Sequence, residues 1–196
     1  MSDNGMIVDI PAGADARTQR TRRLLAQALM SLGAEGDVDA IAIGALVSEA
    51  GVSRSTFYQH FASKDDFLVR SFVDMLAATE TATAKHFPDR ADILPSRPLF
   101  HHVAGAGDFV ASLVKSEVYL RQMAAGEAKL RDIAEANLKR RLPDWSDGRR
   151  REAAVFIAGG FIALLRWWME SGLKQPPEKM QAAFERLVAS VLADKA

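Results

Sequence analysis

The chain has 196 residues, with 25 Lys and Arg against 25 Asp and Glu, so its formal net charge is zero and a whole-chain electrostatic grip on nucleic acid or anionic lipid is disfavoured; a local basic patch remains possible. Hydrophobic residues make up 48% and charged residues 26%, which argues against a disordered chain, a collagen-like repeat or a coiled-coil rod. There is no cysteine, which excludes a disulfide scaffold, thiolate zinc ligands and a cysteine nucleophile, and fits a reducing cytoplasm.

Residues 1–16 are polar, are punctuated by Gly5, Pro11 and Gly13, and carry Asp3, Asp9 and Asp15 but no Lys or Arg. They read as a flexible arm, since a secretory signal needs a positive start and a longer apolar stretch. From Arg17 the pattern is helical: Leu24, Leu25, Ala28, Leu29 and Leu32 form one stripe, and Gly33 is placed to end the helix. Leu46, Val47 and Ala50 form a short second stripe. Gly51 suits a positive φ, and Ser53 suits the N-cap of a third helix on which Phe57 and Phe61 face inward. Ser63 is a second N-cap, with Asp65 and Asp66 in the first turn of a long helix. That helix carries Phe67, Leu68, Phe72, Met75 and Leu76 and runs to about Lys85.

Pro88 and Pro95 mark a break, and Ser96 before Pro98 marks a new start. The stretch from Leu99 to Leu142 reads as helical with interruptions at Gly105, Gly107 and Gly126, and Pro143 closes it. Ser146 or Asp147 opens an apolar helix to about Ser171. Its uncharged run, Ala153 to Leu165, has 13 residues, short of the roughly 20 that span a bilayer, and reads as a buried helix. Pro176 and Pro177 precede a last helix with Met180, Phe184, Leu187, Val188, Val191 and Leu192 on one face. No segment alternates convincingly as a strand. The expected fold class is all-α, about nine helices, with an N-terminal domain at 17–62 and a C-terminal helical domain at 63–196.

The second and third helices meet at a tight glycine turn, and the third is short and polar outside, which is the arrangement of a helix-turn-helix. With Phe57 and Phe61 inward, Ser55, Thr56, Tyr58 and Gln59 point outward and Arg54 reaches from the helix start. These groups suit base edges and phosphates. Lys64 lies at the next helix start, where backbone N–H groups also favour a phosphate oxygen. The same pattern fits any tight helical hairpin with a polar surface, so the residues alone leave both readings open.

The run Ala50-Gly51-Val52-Ser53, then Thr56-Phe57-Tyr58, His60-Phe61 and Ser63-Lys64-Asp65, strongly resembles the signature of the TetR family of transcriptional regulators. The match is tight over roughly residues 20–70 and holds beyond them only in length and layout. The resemblance implies base contacts from Arg54, Ser55, Thr56 and Gln59. It implies phosphate contacts from Tyr58, His60 and Lys64, and core roles for Phe57 and Phe61. Two places depart from the family pattern. Ala42 stands where many members start the second helix with Thr or Ser, and Gly44 where many carry Arg or a polar residue; each loses a backbone or base contact. Arg17, Arg20, Arg22 and Arg23 crowd the start of the first helix and either supplement the footprint or form a solvated charged end.

His101 and His102 are adjacent, so on a helix they point about 100° apart. No Glu-x-x-His or His-x-x-x-His spacing occurs, and neither a metal nor a cofactor is expected. No nucleophile, metal or phosphate-loop constellation points to an enzyme. The helix from Ala153 to Met169 is apolar on nearly all sides and needs cover on all of them. In the resembled family the last two helices of each subunit form a four-helix homodimer interface, which implies Gly159, Gly160, Trp168, Phe184, Val188 and Val191 at the contact. The two glycines equally fit close packing within one chain. The resemblance also implies a pocket for an apolar or aromatic effector, with Phe100, Phe109, Tyr119, Met123, Phe156 and Trp167 as candidate lining; each also fits ordinary core. The resulting expectation is a cytoplasmic, ligand-responsive homodimer, most often a repressor in this family. It binds double-stranded DNA at a palindromic operator, is released by a small molecule and has no membrane partner. The alternative is a helical carrier or enzyme with a coincidental helix-turn-helix.

Overall fold

Serine caps set three of the helix starts. Ser53, Ser63 and Ser146 each hold extended backbone while the side-chain oxygen accepts the N–H three residues on, satisfying an amide that the helix leaves open. The computed structural model describes residues 16–90 and 92–193. The arm expected over 1–16 therefore lies outside the described residues, apart from Ala16. Among the described residues the structure is all-α, with nine helices: α1 Ala16–Glu35, α2 Ile43–Glu49, α3 Arg54–His60, α4 Lys64–His86, α5 Ser96–Gly105, α6 Gly107–Leu113, α7 Tyr119–Arg141, α8 Asp147–Glu170 and α9 Pro177–Leu192.

Helices α1 to α3 close around Leu25, Leu29, Leu46, Val47, Phe57 and Phe61, all buried. Phe67 and Leu68 at the start of α4 extend that core into the larger half. There α7 packs against both α4 and α8, α5 packs against α9, and α6 packs back onto α1. The aromatic centre of this half is Phe161, with ring centroids 5.1 Å from both Phe100 and Phe184; Trp168 lies 5.6 Å from Phe100.

Two glycines behave differently from expectation. Gly33 does not end α1, and Gly126 does not interrupt α7; both are buried within continuous helices. Each gives up helix propensity to let a ring approach the backbone. A Cβ on Gly33 would sit 2.5 Å from Cδ2 of Phe109, and one on Gly126 would collide with the ring of Phe72. Gly105 and Gly107, in contrast, do bracket the break between α5 and α6. The turn after α8 places Gly172 at φ 78°.

The 13-residue uncharged run also understated α8. Over its 24 residues α8 is long and apolar enough to cross a membrane, with a mean hydropathy of 1.4 in its most apolar window. Half of that window is buried inside the fold, where α7 and α9 cover it.

Candidate nucleic-acid interface

The helix-turn-helix is assembled from local hydrogen bonds. Gly51 takes φ 64°, and the Val52 N–H donates to the Val47 carbonyl at 3.0 Å, turning the chain between α2 and α3. Ser53 Oγ accepts the Thr56 N–H at 3.0 Å and lies 2.8 Å from both Ser55 Oγ and Thr56 Oγ1. The two outward hydroxyls are therefore oriented by the cap, each keeping hydrogen-bonding capacity for a ligand. Phe57 is fully buried, its ring 5.6 Å from Phe61 and 5.8 Å from Phe67. That seating turns Arg54, Ser55, Tyr58 and Gln59 to solvent and leaves Thr56 and His60 half-buried. At the N-cap of α2, Ala42 contributes no side-chain hydrogen bond. Gly44 leaves room for Arg54, whose Nη2 is 3.9 Å from where a Cβ on Gly44 would stand.

Residues 24–70 match the family model for bacterial regulatory proteins of the tetR family. The segment from α1 to the start of α4 is thus of the tetR type. The fold of the whole chain agrees. It superposes on a TetR transcriptional regulator from Rhodococcus sp. RHA1 with a TM-score of 0.63 at 13% identity, covering 91% of this chain and 99% of that one. A protein named as the dihydroxyacetone kinase operon activator DhaS gives 0.61 at 16% identity, with 87% and 94% covered. A tetR-family transcriptional regulator from Streptomyces coelicolor gives 0.56 at 17% identity, with 89% and 81% covered. No curated protein matches the chain in sequence.

Around α3 the cations are less free than the sequence suggests. Lys64 Nζ donates to the carbonyls of Val38 and Asp39, at 3.2 and 2.5 Å, committing two of its three donors to the α1–α2 loop. The same loop is tied from the other half. The Val38 N–H donates to Ser112 Oγ at 2.9 Å, and Asp39 Oδ2 accepts the Glu117 N–H at 3.0 Å. Of the four arginines at the start of α1, Arg22 turns inward, pairing with Asp74 at 3.0 Å, while Arg17, Arg20 and Arg23 are exposed. Partial burial, then the Arg22 and Arg70 guanidiniums, hold the His60 imidazole below its usual 6.5, which favours its neutral form near pH 7. Arg70, Asp74, Asp39 and Ser112 went unnoticed in the sequence. The spacing Asp66, Arg70, Asp74, four apart on one helix face, was the available signal for the first two.

The six residues expected to line an effector pocket divide between the core and the surface. Phe100 packs on Phe161 and Trp168, and Phe109 packs on Gly33. Tyr119 and Met123 are buried; the Tyr119 hydroxyl donates to Glu170 Oε1 at 3.2 Å, and burial, with Glu170 beside it, pushes the phenol up to about 12. Phe156 and Trp167 lie on the outer face of α8, 62% and 55% exposed. Trp168, expected at a subunit contact, is instead fully buried, its indole N–H donating to the Gln175 carbonyl at 2.8 Å. Phe184 is likewise core, against Phe161. Of the two tryptophans, Trp168 is thus inside and Trp167 outside, because consecutive helical residues point about 100° apart and only one can face inward. Gly160 is exposed, Gly159, Val188 and Val191 are half-buried, and Val155, Phe156, Trp167 and Leu187 complete an exposed apolar strip on α8 and α9. At one end of the strip lies an open groove of about 890 Å³ lined by residues including Trp145, Arg149, Phe156, Leu187 and Val191.

Proposed function

We propose that the chain is a cytoplasmic, homodimeric, ligand-responsive transcriptional repressor of a palindromic operator, without catalytic activity of its own. The observation that carries this reading is the polar face of α3, capped by Ser53, seated on Phe57 and Phe61, and lying within the segment that matches the tetR family. Each subunit inserts α3 into a major groove, Arg54, Ser55, Thr56 and Gln59 reading base edges while Tyr58, His60 and the remaining Lys64 donor hold phosphates. The apolar strip of α8 and α9 supports pairing of two copies, since a two-fold contact uses the same patch on both subunits. Trp167 belongs to this strip in place of Trp168. A small apolar or aromatic effector binds the C-terminal half and lowers operator affinity as far as it prefers the non-binding state. The ring of Phe109 on Gly33 and the bonds from Ser112 and Glu117 to the α1–α2 loop supply the joint between the halves.

The test is selection of bound sequences from a random duplex pool, followed by titration of the winner at several salt concentrations. A palindromic winner whose affinity falls steeply with salt supports the reading. Arg54→Ala then loses about 1–3 kcal/mol on that site and relaxes preference at one base pair per half-site. Absence of duplex binding points to a carrier or an enzyme instead.

A further inference from the structure

The end of α3 is held by side chains that read no base. His60 is the last residue of α3, and its carbonyl is among those that a helix leaves without an internal partner. Arg70 Nη1 donates to that carbonyl at 3.1 Å. Asp66, one turn earlier on α4, lies 3.6 Å from the same nitrogen and accepts the Ala62 N–H at 3.0 Å. Two neighbouring positions on α4 therefore grasp both backbone groups that flank Phe61. The Arg70 guanidinium also rests 5.6 Å from the centroid of the Phe61 ring. Arg22 from α1 lies at the same distance and is itself anchored to Asp74, the next position of the α4 row. Three helices thus meet around one buried ring. Burial does not explain Arg70, whose side chain is 45% exposed. What its geometry does is fix the angle at which α3 leaves α4.

We propose that Arg70 is a positioning residue for operator recognition: it sets the depth and tilt of Arg54, Ser55 and Gln59 in the groove without touching a base. This rests on the reading that α3 enters the major groove. Bidentate base contacts fail when the helix tilts, whereas phosphate contacts along a flexible side chain tolerate it. Loss of Arg70 should therefore fall on sequence preference and leave general affinity for DNA largely intact.

The experiment compares wild type, Arg70→Gln and Arg70→Lys on the selected operator and on a random duplex, at several salt concentrations, with thermal melting alongside. Arg70→Gln should weaken operator binding about tenfold, as expected for a lost hydrogen bond from a charged donor, and change random-duplex binding by less than about twofold. Its salt slope should match wild type. Arg70→Lys can still donate to the His60 carbonyl and should recover most of the loss. Equal weakening on both duplexes, with a salt slope lower by about one, would make Arg70 a phosphate contact and overturn the proposal. So would unchanged operator affinity, or melting of both variants well below wild type. Wild type that binds neither duplex refutes the operator reading itself, and this role with it.

Discussion

Gly160 separates packing within a chain from packing between chains. It lies on the exposed face of α8, and a Cβ built there meets nothing within 4 Å. Inside one chain, Gly160→Leu should therefore be favourable: removing a glycine from a helix interior gains about 0.8–1 kcal/mol, and no clash opposes it. For a chain of this size that raises the melting temperature by roughly 2–4 °C. In a two-fold dimer through α8 and α9 the same leucine appears twice in the contact. Overpacking costs about 1–3 kcal/mol per site, hence roughly 2–6 kcal/mol per dimer. The dimer dissociation constant should then rise by at least about 30-fold. Light scattering over a dilution series reads the association, and melting at concentrations where both proteins are monomeric reads the intrachain gain. Expected is a Leu variant that is a more stable monomer and a weaker dimer, with weaker operator binding. A variant that pairs as tightly as wild type would refute the interface, and a wild type that is monomeric at micromolar concentration would do so without any substitution.

The two tryptophans should separate cleanly in thermal melting: Trp168→Ala loses about 3–5 kcal/mol as a buried core deletion, while Trp167→Ala leaves the fold nearly as stable and weakens pairing. Similar melting of both variants would contradict their opposite burial. Lys64→Ala removes two charge-assisted bonds to the α1–α2 loop, so the amides of Val38 and Glu117 should exchange hydrogen faster while the α8 core is unchanged. Unaltered exchange at those amides would show that the loop does not depend on Lys64. Burial holds the His102 imidazole below its usual 6.5, so its contribution is fully present above that pH and is lost as pH falls through the depressed value. Melting temperature should therefore drop as pH falls below about 6.5, with His102→Asn flattening part of the drop; an identical profile in the variant would assign the loss to other groups, His60 among them.

The parts legible in the sequence are those decided within a few residues. Gly51, Ser53 and Ser63 announce a turn and two caps because the atoms they serve are their chain neighbours, and Phe57 and Phe61 announce their inward face by spacing alone. Gly33 and Gly126 looked like breaks because a glycine weakens an isolated helix. The rings of Phe109 and Phe72 that require those glycines belong to distant segments and leave no local trace. Trp167 and Trp168 carry the same local signal, and only the position of Phe100, packed across from α8, decides which is inside. Lys64 read as a free charge for the same reason: the carbonyls it serves are on a loop before α2. The aromatic residues of the C-terminal half were recognisable as buried or apolar, but their division between a core and an outer strip depends on how α5, α8 and α9 turn against one another.

The seat of Phe109 on Gly33 has a consequence for protein engineering. The layout invites the exchange of one N-terminal head for another on a retained C-terminal body. Here the two halves are keyed: the body presents a full aromatic ring, and the head must present a bare backbone to receive it. A grafted head with alanine or larger at position 33 would lift α6 off α1. It would also draw Ser112 away from the Val38 amide that it holds. A working hybrid has to carry Gly33 and Phe109 together or replace both at once, so the natural seam for recombination lies elsewhere than at the end of the helix-turn-helix.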